Sequence, residues 1–281
     1  MIKSLLIGAP NDIAKYTDII AQLSYFEKPV SIICNEGMEN IYPIETGSFD
    51  ALMLIGNNKM AYSQLKHAIK EKTNIYYTDQ QSLTDQEITE LLTLHSEANN
   101  LLFPEISELH HPLVQEFIST SPNQLMFRYN KTIQTKQQVH HTLLNALSFI
   151  TILSPMQVKK VDINSIDASN SGRPAFKIRL KLYDSSLAYI FLRFGKNNEH
   201  NIIIESKTGN FTFNFTENYL ENVHGTRFNS ELANETDLIR KALEAFALCI
   251  ILNKKPQFNF YHYTLTALLI SKIENIILGN F

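Results

Sequence analysis

The 281-residue sequence has only two cysteines, no tryptophan, nine glycines and nine prolines. Two cysteines cannot build a disulfide scaffold or a cysteine-rich metal site. Cys34 and Cys249 both lie in apolar runs, where a thiol acts as a small hydrophobe. A reduced, cytoplasmic setting is the expectation. No apolar run reaches the ~18 residues of a membrane span. The opening MIKSLLIGAP has too short an apolar part, and no small-residue cleavage site, for a signal peptide. Excess charge is missing too: 25 lysines and arginines face 28 aspartates and glutamates, a formal charge of -3. That excludes a global basic field for nucleic acid and a polybasic membrane footprint. The histidines show no ligand spacing, so no metal is expected. There is no Walker A motif and no Gly-x-Ser-x-Gly elbow. What is present is 44% apolar residues, enough for one large core or two modest ones.

The first 120 residues alternate two periodicities. Short apolar runs at 2–7, 30–34, 51–55, 75–77 and 101–103 read as strands. Helical spacing falls between them at 11–24, 57–72 and 84–98, with a short helix at 111–119. Thr84 followed by Glu87 predicts a capping box. Apolar strands alternating with helices imply a parallel sheet covered on both faces. After the turn segment 119–123 the pattern changes. Long alternating runs at 124–133, 158–166, 175–183, 187–194 and 201–215 read as one antiparallel sheet, with hairpin turns at 184–186 and 207–210. Helices are predicted at 139–153, 235–253 and 261–278. The expectation is an α/β chain of two domains. Residues 1–120 form a Rossmann-type, doubly wound parallel sheet, and residues 121–281 an α+β domain with a large open antiparallel sheet. Such a sheet needs a cover, and a second copy of the chain is the natural one.

The order of elements, and stretches such as IKSLLIGAPNDIA, FDALMLIGNNKMAYSQLKHAIKEKTNIYYTDQQSLTDQEITELL and DLIRKALEAFALCIILNKKPQF, resemble the Gfo/Idh/MocA family of NAD(P)-dependent oxidoreductases nearly end to end. The resemblance implies a nucleotide-binding domain, a sheet domain that mediates homodimers, NAD or NADP as coenzyme, and a small or sugar-like substrate. It implies coenzyme contacts at Gly8, Asn11, Glu36 and Asn58. His141, His111 and Tyr77 are the candidates to relay protons.

Against that family pattern the chemistry is altered. The family's G-x-G-x-x-G/A turn reads Gly8-Ala9-Pro10-Asn11-Asp12-Ile13. Pro10 has no N–H to offer a phosphate, and Ile13 adds bulk at the crossing. Asn11 or Asp12 is a natural helix cap, and Asp12 would set a carboxylate where a pyrophosphate sits. The turn is thus either a modified nucleotide turn or a plain capped strand-to-helix turn. The family's Glu-Lys-Pro falls on Thr78-Asp79-Gln80, and its His-x-x-Asp pair on Thr142 and Asn145. Tyr77 reads either as an acid or as a packed strand residue, and His141 either as a ligand contact or as a solvent-facing side chain. Phe211, Phe213 and Phe215 alternate on one sheet face and read either as one wall of an apolar pocket or, the favoured expectation, as a dimer interface. Two functions remain open: an oxidoreductase, or a non-catalytic homodimeric binding or assembly protein that keeps the fold.

Overall fold

The computed structural model describes residues 1–34, 45–56, 61–78, 83–112, 114–115, 118, 124–135, 138–153, 157–167, 174–195, 199–206, 209–217, 219–222, 225–229 and 235–279. These divide into two compact units. Unit 1 comprises Met1–Ser107 with Glu235–Leu268, and unit 2 comprises Glu108–Asn234 with Leu269–Phe281.

Unit 1 holds β1 (Ser4–Gly8), α1 (Pro10–Ile20), β2 (Val30–Ile33), β3 (Ala51–Ile55), α2 (Ala61–Lys70), β4 (Asn74–Thr78), α3 (Asp85–Ala98) and β5 (Leu102–Glu105). The strands form a five-stranded sheet in the order β2-β1-β3-β4-β5, parallel throughout. Every residue of β1 and β3 is buried, which is why these strands read as unbroken apolar runs. Edge strand β2 departs from the doubly covered expectation: Val30 and Ile33 are exposed. On one face, Leu6, Met53, Tyr76 and Phe103 meet Tyr16, Ile19 and Ile20 of α1. Leu243 and Phe246 of α5 (Glu235–Ile251) complete this core. Phe246 lies 5.3 Å from Tyr76 and 5.6 Å from Phe103. The predicted capping box is present: Thr84 accepts from the Glu87 N–H, and the Glu87 carboxylate accepts from the Thr84 N–H. Cys34 and Cys249 are half-buried, and neither is in a disulfide.

Unit 2 holds β6 (Gln124–Ile133), α4 (Gln138–Leu153), β7 (Val158–Asp167), β8 (Pro174–Leu182), β9 (Leu187–Phe194), β10 (His200–Ser206), β11 (Gly209–Asn214), β12 (Tyr219–Asn222) and β13 (Arg227–Asn229). They form one open sheet in the order β13-β12-β11-β10-β6-β9-β8-β7. Its pairings are antiparallel as expected, except that β6 lies parallel to β9. Strands β12 and β13 escape the sequence reading because they are only four and three residues long. Helix α4 is buried continuously from Thr142 to Ile150, as a helix with apolar residues all round should be. The last helix, α6 (Phe260–Leu278), contributes residues to both units.

Candidate functional site

In unit 1 the polar features gather at the carboxyl edge of the sheet. Chain order reverses between β1 and β3, so their carboxyl ends open the crevice where doubly wound folds bind ligands. Gly8 ends β1 opposite Ile55. A Cβ at Gly8 would fall 2.5 Å from the Ile55 carbonyl oxygen, so only glycine fits. Helix α1 then starts at once. Its N-cap is Ala9, with no side-chain cap, and Pro10 is its first residue. This corrects the expectation that Asn11 or Asp12 caps the helix. Proline at the first helical position is preorganised in φ and gives up an N–H that a helix does not need.

Two consequences follow for anion binding. The helix mouth lacks the Pro10 amide, and Asp12 sits in the first turn. The Asp12 carboxylate reaches toward β3: a Cβ built on Gly56 would lie 2.2 Å from Asp12 Oδ2. Gly56 has φ +73°, a conformation that favours glycine. Its N–H donates to Thr78 Oγ1 at 2.8 Å. Thr78 therefore closes the turn after β3. These residues do not fit a pyrophosphate in the usual mode, since a carboxylate already occupies the space beside Gly56 and the first helical amide is gone. Asn11 is exposed beside Asp12. Glu36, Asn58 and Asp79 lie outside the described residues.

Tyr77 is 2% exposed and packs edge-on against Tyr263 at 6.1 Å. This is the packed-strand alternative of the sequence reading. Its neighbour Tyr76 is fully buried and donates to Glu105 Oε2 at 2.5 Å, and Tyr16 donates to the same oxygen at 2.6 Å. Burial, reinforced by the Glu105 charge, pushes both hydroxyls well above the ordinary tyrosine range. They remain donors at any working pH.

In unit 2 a second group of polar side chains comes together, which the sequence reading missed. Lys131 and His200 face each other across β6 and β10, and Lys131 Nζ lies 2.9 Å from His200 Nδ1. His200 Nε2 is 3.7 Å from Glu108 Oε2, and Tyr129 donates to the same oxygen at 3.4 Å. The His200 ring stacks on Phe215 at 4.6 Å. His111, one of the predicted relay residues, is 4% exposed and packs edge-on against Phe215 at 5.7 Å. His141 is exposed, with its Nε2 3.3 Å from Asn145 Nδ2 one turn on. His141 thus shares a helix face with the position where the family carries its aspartate. Thr142 and Asn145 are both buried, and Asn145 Oδ1 has no hydrogen-bond partner. Only cross-strand register reveals Lys131 opposite His200, which is why a linear reading passed over both.

The Phe211, Phe213, Phe215 stripe is corrected. Phe213 pairs with Ile202 and is buried, and Phe215 packs on Phe149 of α4 at 6.2 Å. The stripe therefore faces the core of unit 2 and not a dimer interface. Among the described residues no group of three His, Cys, Asp or Glu could hold a metal, and no helix is long and apolar enough to cross a membrane.

Burial holds the pKa of His200 at about 4, with the Glu108 charge opposing. A histidine kept neutral when folded but free to protonate when unfolded destabilises the fold as pH falls. Stability should therefore drop between about pH 6.5 and pH 4, by at most about 3 kcal/mol from this residue. Chemical denaturation across that range should show a shallower slope for His200→Gln.

No protein-family model and no curated protein sequence matches the chain. Solved structures do match along its length. A dehydrogenase (MviM) from Clostridium difficile aligns with TM-score 0.76 and 16% identity over 98% of this chain and 99% of that one. UDP-N-acetylglucosamine 3-dehydrogenase GnnA from Acidithiobacillus ferrooxidans aligns with TM-score 0.78 and 12% identity over 98% and 97%. Biliverdin reductase from Synechocystis sp. PCC 6803, solved with biliverdin and NADP+, aligns with TM-score 0.69 and 15% identity over 97% of each chain. The fold is that of the two-domain, Rossmann-type dehydrogenases, as the sequence resemblance implied. At such identities the likeness speaks for the fold alone.

Proposed function

We propose that the chain is a degenerate member of the Gfo/Idh/MocA oxidoreductases that has given up ordinary dinucleotide binding. It serves as a homodimeric, small-molecule-binding protein on that scaffold. The observation that carries this reading is the Asp12 carboxylate seated against Gly56 at the crevice between β1 and β3. A pyrophosphate there would face a like charge, with one fewer amide to hold it. A second reading, an NAD(P)-dependent oxidoreductase acting on a small or sugar-like substrate, draws support from the end-to-end match to dehydrogenases and from Gly8. Thermal melting separates the two. A coenzyme bound with Kd near ~10 μM adds about 2.7 kcal/mol at hundredfold excess over Kd. The first reading expects an unchanged midpoint with ~1 mM NADH or NADPH. A rise of several degrees with either one favours the second.

The homodimer is assigned to the sheet face opposite α4. That face carries Tyr189, Phe191 and Ile203 beside Arg128 and Lys177. Lys177 lies 5.0 Å over the Tyr189 ring and 5.5 Å over the Phe191 ring. These mixed aromatic and cationic side chains are of the kind enriched at interfaces. Sedimentation should give a dimer at tens of micromolar, and Phe191→Glu should shift it toward monomer. A wild-type monomer would refute the assignment.

A further inference from the structure

Unit 2 contains a half-buried ammonium with hydrogens to spare. Among the described residues, Lys131 has one hydrogen-bond partner, His200 Nδ1. An ammonium carries three hydrogens, so two are left for something else. His200 is held rigidly. It is 6% exposed and stacked on Phe215, and its backbone N–H donates to Thr216 Oγ1. Because Nδ1 accepts from a cation, the ring's own hydrogen sits on Nε2. That atom is buried without a hydrogen-bond partner, and Glu108 Oε2 at 3.7 Å balances it only through charge. Proteins seldom leave a buried imidazole nitrogen and a half-buried ammonium so poorly satisfied unless another group completes them.

The charged and titratable groups around the pair come from three elements: Glu108 from the turn after β5, Tyr129 from β6 and His141 from α4. Burial lowers the basicity of both Lys131 and His200. The Glu108 charge works the other way on each, and Lys131 and His141 push His200 lower still.

We propose that Lys131 is a ligand-contacting ammonium, positioned by His200, that takes the carbonyl or carboxylate oxygen of a small oxo acid. An oxo acid sets a carbonyl oxygen beside a carboxylate oxygen, one for each spare hydrogen, and a charge-assisted bond at a half-buried site is among the stronger ones available. The inference holds under either reading of the β1–α1 turn, because it involves no coenzyme.

Trace acetylation with acetic anhydride, read by peptide mass spectrometry between about pH 6 and pH 10, tests it. Exposed Lys254 and Lys255 serve as references in the same chain. Lys131 should reach half-reaction at a lower pH than these two, because burial disfavours its charged form. Glu108→Gln should lower that midpoint further, since it removes the charge that raises it. Pyruvate or 2-ketogluconate at roughly 20 mM should slow acetylation of Lys131 about fivefold, and sorbitol should not. His200→Phe keeps the aromatic stack and removes the nitrogen, so protection should vanish while melting stays cooperative. Lys131 reacting in step with Lys254 and Lys255, or protection by neither oxo acid, overturns the proposal. Protection that survives in His200→Phe overturns the positioning role of His200.

Discussion

Replacing Glu105 by leucine should destabilise the protein by about 3–5 kcal/mol, because it strands two buried hydroxyls. Tyr16 and Tyr76 both donate to Glu105 Oε2, and Tyr76 is fully enclosed by Tyr16, Phe103 and Phe246. Neither hydroxyl can turn to water without opening the core between α1, α5 and the parallel sheet. The cost is that of the unpaired donors more than of the lost pair itself. In a Tyr16→Phe/Tyr76→Phe background the same leucine substitution should cost well under half as much. Equilibrium urea unfolding of the four proteins closes this cycle. A leucine variant as stable as wild type would show that the carboxylate is incidental.

The second large effect concerns Asp12. Asp12→Gly should strengthen NADPH binding by roughly 10- to 100-fold, since two like charges a few ångströms apart at a half-exposed site repel by a few kcal/mol. Adding Pro10→Gly restores an amide at the first helical position and should strengthen binding again. Asp18→Asn, on the exposed face of the same helix, should leave binding where it was. Fluorescence titration of the four proteins gives the comparison. Equal affinities for wild type and Asp12→Gly would mean that the carboxylate swings clear of the ligand.

Much of the fold was legible because its signals are local. The β3 run 51–55 and the alternating runs 124–133 and 187–194 coincide with strands, and the Thr84 capping box forms as read. Local signals mislead where two residues compete for one role. At the start of α1, Asn11 and Asp12 look like caps, but proline at the first helical position sets the boundary earlier and leaves Ala9 as the cap. The candidate site was legible in unit 1, where strand, turn and helix are contiguous and Pro10 and Asp12 stand out against the phosphate turn. It was not legible in unit 2. Lys131 and His200 are 69 residues apart, and nothing in either neighbourhood announces the pairing. The aromatic stripe failed for a related reason. Alternation shows that Phe211, Phe213 and Phe215 share a face, but not which face α4 covers. Tyr77 likewise could be assigned to the core only once Tyr263 was seen against it.

The central claim is that the mouth of α1 no longer cradles a pyrophosphate. Amide hydrogen exchange at residues 8–13, followed with and without millimolar NADPH, addresses it at the atoms concerned. Unchanged exchange at Asn11, Asp12 and Ile13 is the result expected. Slowed exchange confined to those amides, reversed by removing the coenzyme, would contradict it.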